Sequence, residues 1–286
     1  MTRIKHSTLA GTWYAAGESR LRDQVDDLLR TAQPAPTSVP LAGLVVPHAG
    51  FAYSGRAAAA GYACLGATPY RRVVILAPSH FGGFRGAALL DVDGFETPLG
   101  TVAVDRDAVA TLTRQPLFRE DAAPYRQEHS LEIQLPFLQR VIPSVQVVPV
   151  LLGGLQADDY ATIAGALLPL AVADTVFLIS SDFVHYGARF DYLPFPADGA
   201  ERVRDGLQAL DMGAIELVCA GDAAGFGRYV AETGATICGR LPIGVFLTLH
   251  AQRTPGQLLA YYTSLDVTDD YEHCVSYASI AFPRFA

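Results

Sequence analysis

Residues 41–50, LAGLVVPHAG, and residues 71–80, RRVVILAPSH, decide the fold class of this chain. Each contains an unbroken apolar run with no alternation of polar and apolar residues, as expected for a strand that is buried on both faces of a sheet. Two later stretches, VQVVPVLLGG (145–154) and TVFLISSDFVHYG (175–187), have the same pattern. The four stretches together predict a sheet that is covered on both sides.

Helical patterns separate these predicted strands, at 54–65, 105–114, 130–141 and 158–170. Strands that alternate with helices indicate crossover connections and therefore parallel pairing. We expect an α/β fold, a three-layer α/β/α sandwich around a mostly parallel, mixed sheet.

The remaining segments fit around this sheet. A helix is predicted from Glu18, with Leu21, Val25, Leu28 and Leu29 on one face, and the proline-rich QPAPTSVP (33–40) connects it to the first buried strand. Residues 86–104 resemble a hairpin excursion. Helices are predicted near 200–211, 222–233 and 239–251, followed by an antiparallel pair of strands, 257–267 and 273–282. No change of composition marks a boundary, so we expect a single domain over residues 1–286.

Composition excludes several classes of protein. The chain has 21 Lys and Arg against 29 Asp and Glu, a net charge of −8, and half of its residues are hydrophobic. Collagen, coiled coils and disordered tails do not have this balance. Because no basic cluster is present, we expect neither nucleic acid nor an anionic membrane as a partner.

The location of the protein is predicted from its termini and its cysteines. No signal peptide is visible, and the longest apolar run, 165–181, is interrupted by Pro169 and Asp174. We therefore expect a cytoplasmic protein with reduced thiols at Cys64, Cys219, Cys238 and Cys274.

Three of the predicted buried strands end in a histidine: His48, His80 and His185. Ligands of open α/β sheets bind beyond the carboxyl ends of the strands, so these side chains should converge on one cleft. Imidazole suits zinc, iron or copper. The other interpretation is that each histidine only caps its strand end by bonding a loop carbonyl. A metal ion would need a third ligand, for which the candidates are Asp182, Glu128, His129, His185 and Cys238.

Several motifs resemble the Memo-like family, also called AmmeMemoRadiSam system protein B. They are AGTWY (10–14), PHAGFAYSG (47–55), APSHFGG (77–83), EHSLEIQLPFLQ (128–139), SSDFVHYG (180–187) and ICGRLPIG (237–244). The family is similar in fold to the LigB-type class III extradiol dioxygenases. The resemblance implies a mononuclear centre with His48, His80 and Cys238 as metal ligands, iron first and copper or zinc as alternatives. It also implies that Glu128, His129, Asp182 and His185 are catalytic residues of the same pocket, and that a radical-SAM enzyme and an AMMECR-type protein are partners.

Local sequence leads to finer expectations. Cys238 lies beside Arg240 at the start of a predicted helix, which favours its thiolate. A helical turn after Asp182 would bring its carboxylate to His185 and orient that ring. Ser130 is predicted to cap the helix after His129.

Other interpretations remain open at this stage. His129 and Glu132 could form an i, i+3 metal pair. Trp13 and Tyr14 could wall the pocket or be core residues, and we favour the core. Cysteine replaces the carboxylate of the dioxygenases, so ordinary ring cleavage is in question. The leading expectation is redox or dioxygenase-type chemistry on a small molecule or peptide. The alternatives are a peptide- or anion-binding module that uses His48, His80 and Arg240, and a zinc-assisted hydrolase.

Overall fold

Strands and helices alternate along the computed structural model, which describes residues 2–32, 39–66, 68–251 and 254–284. The strands in these ranges are β1 (Ile4–Lys5), β2 (Leu41–Val46), β3 (Arg72–Pro78), β4 (Ala87–Leu89), β5 (Gly94–Thr97), β6 (Gly100–Val104), β7 (Phe118–Glu120), β8 (Gln146–Leu152), β9 (Thr175–Ser180), β10 (His185–Tyr186), β11 (Gln257–Thr263) and β12 (Cys274–Pro283). The α-helices are α1 (Glu18–Thr31), α2 (Phe51–Tyr62), α3 (Arg106–Leu112), α4 (His129–Glu132), α5 (Leu135–Val141), α6 (Ala157–Leu167), α7 (Ala200–Cys219), α8 (Ala223–Thr233), α9 (Arg240–Leu249) and α10 (Leu265–Thr268). Short 3₁₀ helices cover Leu168–Leu170 and Ala188–Phe190.

The central sheet is mostly parallel, as predicted. Its main path runs in the order β1-β5-β6-β8-β3-β9-β2-β12-β10. The five strands from β6 to β2 on this path pair in parallel. β12 runs antiparallel to β2 and also to β11, which confirms the antiparallel addition at the end of the chain. β5 and β6 form the hairpin expected within 86–104.

Helices cover both faces of this sheet, which confirms the three-layer α/β/α sandwich. Successive residues of a strand face opposite sides. On β2, Gly43 faces α9, where a Cβ atom would lie 2.2 Å from the Phe246 ring. Its neighbour Leu44 and then Val46 face α2, where Gly61 approaches them closely. Every residue of β2 and β9 is buried, and so is every residue of β3 and β8 after the first, which explains the low charge of these stretches.

Some element boundaries differ from the predictions. The helix predicted over 130–141 is divided into α4 and α5, because Pro136 in the first turn of α5 has no N–H to continue the helix from α4. The helix predicted at 200–211 continues to Cys219. The prolines at 34 and 36 lie outside the described residues.

The expected helical turn after Asp182 is wrong. The strand predicted over 175–187 ends at Ser180, and the chain stays extended because His185 and Tyr186 pair with Val275 and Cys274 of β12. None of the described helices has both the length and the apolar character needed to cross a membrane.

Candidate metal centre

Three imidazoles meet at the carboxyl ends of the parallel strands. His48 follows β2, His80 follows β3, and His129 is the first residue of α4. Their ligand nitrogens all lie within 4.8 Å of one another. The strand-end positions of His48 and His80 therefore lead to one cleft, whereas His129 joins them from a helix.

The ring of His48 is held by Ser180, the last residue of β9. Ser180 donates its single hydroxyl proton to the carbonyl of Ser130 at 2.6 Å. Its oxygen must then accept the bond of 2.8 Å that it shares with Nδ1 of His48. His48 is therefore protonated on Nδ1, and the lone pair of its Nε2 faces the cleft.

Gln134, which lies between α4 and α5, stabilises this arrangement. Its amide donates to the Ser180 hydroxyl at 2.8 Å and to the carbonyl of Pro47 at 3.1 Å. Its own oxygen accepts from the Tyr62 hydroxyl at 2.7 Å. Every polar atom of this buried amide has a partner, so the hydroxyl that orients His48 is itself fixed in place.

The ring of His80 is held by Glu128. The Glu128 carboxylate accepts the backbone N–H of His80 at 2.6 Å and its Nδ1–H at 2.9 Å. Burial opposes ionisation of Glu128, but the bonds and charge of His80 and the N–H of Ser130 outweigh it and lower the pKa of Glu128 to about 2. A carboxylate that accepts from one ring nitrogen leaves the other nitrogen free for a metal, an arrangement common around metal-ligating histidines.

His129 packs between two other rings. It stacks on His80 with ring centroids 4.4 Å apart, and Trp13 lies 4.5 Å away on a tilted plane. Trp13 thus forms a wall of the cleft rather than only core, whereas Tyr14 is buried as expected. Burial, followed by the charges of His48 and His80, lowers the pKa of His129 to about 3.

Two of the three imidazoles, those of His48 and His129, are held in the neutral form. Burial and then the proximity of His80 lower the pKa of His48 well below its usual value. A neutral imidazole is the form that binds metals, and a site of three imidazole nitrogens suits a borderline metal such as zinc, iron or copper. The donor set of the cleft therefore fits a metal ion of this class.

Cys238 lies beside the cluster. Its sulfur is 3.1 Å from Nε2 of His48 and accepts the backbone N–H of Asp182 at 3.2 Å. Gly239 allows this approach, because a Cβ atom there would lie 2.2 Å from the Cβ of Ser181. Among the described residues, the group of three side chains that could hold a metal ion contains His129 and not Cys238.

The expected stabilisation of the Cys238 thiolate is wrong for the metal-free chain. Burial, with the nearby Asp182 carboxylate, raises the pKa of this thiol well above its usual value. Arg240 is exposed and lines a separate cavity, so its charge does not offset the cost of burying a thiolate.

Asp182 is buried beside His48, but it does not orient His185 in the way predicted. Asp182 accepts the backbone N–H of His48 at 2.7 Å, and its other oxygen lies 4.0 Å from Nε2 of that ring. The Nδ1 of His185 instead shares a bond of 3.0 Å with the carbonyl of Thr236. Thr236 is thus the residue that orients His185, and nothing in its local sequence indicated this role.

Two further expectations fail because distant segments compete for the side chains. Glu132 does not pair with His129, since it accepts bonds from Ser7, Thr8, Leu9 and Tyr14 of the N-terminal segment. Glu128, not Ser130, caps α4, and the Ser130 hydroxyl donates to the carbonyl of Pro78.

Fold and site together define a class: an α/β sandwich protein with a histidine cluster that could hold one metal ion beyond the ends of its parallel strands. The chain belongs to the Memo-like family, whose model, described as "Memo-like protein", matches residues 5–281.

Curated relatives agree with this assignment. The chain is 35% identical over 252 residues to "Protein MEMO1" of Xenopus tropicalis and 32% identical over 250 residues to that of Homo sapiens, in each case over 85% of this chain and 83% of the relative. It is 33% identical over 285 residues to "Protein memo-1 homolog" of Caenorhabditis elegans, over 94% of this chain and 80% of the relative.

Proposed function

We propose that this protein binds a single metal ion and carries out redox or dioxygenase-type chemistry on a small molecule or peptide. The observation that carries the proposal is the cluster of His48, His80 and His129, whose ligand nitrogens lie within 4.8 Å of one another. Two of these rings have their Nδ1 protons committed to Ser180 and Glu128. Their Nε2 atoms therefore carry the lone pairs that would bind a cation, and Nε2 of His48 lies 3.1 Å from the Cys238 sulfur.

His48 and His80 are the fixed part of the proposed ligand set. Family resemblance favours Cys238 as the third ligand, and its sulfur lies 3.1 Å from Nε2 of His48. Geometry favours His129. Iron is the first choice of metal, with copper or zinc as alternatives, because nitrogen and sulfur donors suit all three.

The residues around the cluster would orient substrate and move protons. A bound iron or copper ion would supply one-electron chemistry, and zinc would supply Lewis acidity. His185 donates its Nδ1–H to the Thr236 carbonyl, which leaves Nε2 as the atom that would exchange a proton with substrate. Asp182 holds the backbone at His48, and Trp13 shields one side of His129 from water.

Charge in the cleft supports a cation site over an anion site. Glu128 and Asp182 both contact the histidines that a phosphate or carboxylate would need to reach. The ionised carboxylate of Glu128 beside these imidazoles repels an anion and attracts a metal ion. The radical-SAM and AMMECR-type partners and the cytoplasmic location stay predictions.

Metal analysis under anaerobic conditions tests the proposal. We expect one iron or copper per chain in the purified protein, lost in His48→Gln. Cobalt loading then identifies the third ligand, because a thiolate ligand adds a near-ultraviolet charge-transfer band. The band should disappear in Cys238→Ser and persist in Cys219→Ser, which alters another partly buried free cysteine.

Each outcome decides one part of the proposal. If the wild type shows no such charge-transfer band and His129→Gln loses metal binding, the third ligand is His129. A protein that contains only zinc, hydrolyses esters and does not turn over catechols would favour the hydrolase. A metal-free protein that binds phosphopeptides through His48, His80 and Arg240 contradicts the proposal.

A further inference from the structure

A second cavity of about 790 Å³ lies between α6, α8 and α9, apart from the histidine cluster. Its walls are mainly small or apolar side chains, among them Ala223, Ala224, Phe226, Val230, Ala231 and Ala235. This volume falls within the range of cavities that hold small organic ligands. An apolar lining of this kind favours a ligand with an apolar body.

Five polar side chains interrupt the apolar wall: Arg228, Arg240, Tyr160, Thr236 and Thr248. Neither arginine has an ion pair, and the Tyr160 hydroxyl has no hydrogen bond, among the described residues. Many other arginines of the described chain pair with carboxylates, as Arg85 does with Asp159 at 2.7 Å. Both arginines are exposed, and they give the cavity local positive charge in a chain of net charge −8.

We propose that this cavity binds an organic anion with an apolar body, such as a medium-chain carboxylate. The apolar part would lie against the alanines of α8, and the carboxylate would lie against Arg240 and Arg228. Arginine binds carboxylates through paired N–H donors, and the Tyr160 hydroxyl could donate a further bond. The site does not depend on the proposed metal chemistry.

The cavity nevertheless borders the segment that carries site residues. Thr236 lines the cavity, and it also bonds to the backbone and to the ring of His185. Arg240 follows Cys238 by two residues on the same segment. An occupant of the cavity would therefore contact the segment that contains Cys238 and orients His185.

Gly227 provides a specific way to fill the cavity. It lines the cavity from α8, and a Cβ atom there would meet no atom within 4 Å. Gly227→Leu should thus extend a side chain into the ligand space, with room for its Cβ atom, and it removes a helix-destabilising glycine. Gly165 in α6 is a matched control, because its Cβ would also meet nothing within 4 Å and it does not line the cavity.

Calorimetric titration with decanoate, below the concentration at which it forms micelles, tests the proposal on metal-free and metal-loaded protein. We expect saturable binding of one decanoate per chain by both forms and by Gly165→Leu. Gly227→Leu and the double variant Arg228→Gln/Arg240→Gln should bind at least tenfold more weakly. The neutral analogue decanamide should also bind the wild type at least tenfold more weakly.

Other outcomes overturn the proposal. Absence of saturable binding, or equal binding by wild type and Gly227→Leu, shows that the cavity is not the site. Equal affinity for decanoate and decanamide removes the role of the arginines. Self-association that Gly227→Leu abolishes, measured by sedimentation, assigns the cavity to a second copy of the chain instead. Because both metal-free and metal-loaded protein are titrated, failure here is distinct from failure of the metal proposal.

Discussion

Replacement of Glu128 by glutamine should weaken metal binding without unfolding the protein. The Glu128 carboxylate accepts the N–H and Nδ1–H of His80 and the N–H of Ser130, at 2.6, 2.9 and 3.0 Å. Glutamine keeps the shape and one acceptor oxygen, but its amide N–H₂ would face an N–H donor. His80 would then lose the charged partner that holds its ring and its tautomer.

The size of the effect follows from these contacts. Loss of a partner that orients a ligating histidine typically weakens metal affinity about 10- to 100-fold. The pKa of Glu128 lies at about 2 in the folded chain against 4.5 ordinarily, which corresponds to at most about 3 kcal/mol of stability at neutral pH. Because this pKa is lowered by folding, that stabilisation is present above pH 4.5 and is lost as the pH falls towards 2.

Competition with a chelator measures the metal affinity, and urea unfolding of the metal-free protein at pH 7 and pH 3 measures the stability. Glu96→Gln is the control, because Glu96 pairs with His6 at the exposed surface. The variant Glu128→Gln should lose stability at pH 7 and differ less from wild type at pH 3. Unchanged metal affinity in a folded Glu128→Gln would refute the assignment of Glu128 as the residue that orients His80.

Three other changes test the packing around the cleft. Burial outweighs the bonds from neighbours such as Tyr261 and raises the pKa of Asp211 from 3.8 to about 6. The contribution of Asp211 to stability should therefore fall by up to about 3 kcal/mol as the pH rises from 4 to above 6. In urea titrations, Asp211→Asn should no longer show this pH dependence. Gly239→Ala should destabilise the chain, because the added Cβ would lie 2.2 Å from Ser181. The expected loss is more than about 1 kcal/mol, as for an oversized side chain in a packed core. An unchanged melting temperature would contradict this prediction. Glu132→Gln should lower the free energy of unfolding by about 1–3 kcal/mol and speed hydrogen exchange in residues 7–14, because it leaves N–H donors of that segment unpaired. Exchange at wild-type rates would show that other contacts hold the segment.

Sequence patterns predicted the parts of the fold that depend on burial alone. Strands covered on both faces have a simple apolar signature, so their alternation with helices predicted the α/β sandwich and brought His48 and His80 to one edge. The pattern also indicated the antiparallel β11–β12 pair, although it could not indicate where each strand lies in the sheet.

Features that depend on distant segments could not be predicted. His185 is extended because it pairs with Val275 of β12, 90 positions away in the chain, and Glu132 is bound by the N-terminal segment. The local context of Cys238 favoured a thiolate, but that context carries no information on burial, which decides the pKa of the thiol. Ser180 and Gln134 occur within quoted motifs, yet only the structure assigns them to His48.

The order of strands in the sheet bears on when the histidine cluster can form during synthesis. His48 and His80 follow β2 and β3, which are separated in the sheet by β9, a strand nearly 100 residues later in the chain. A nascent chain that has exposed only its first half lacks both this spacer and Ser180, so the two rings have no fixed separation. Metal capture should therefore follow insertion of β9, and it cannot serve as the nucleus around which the domain folds.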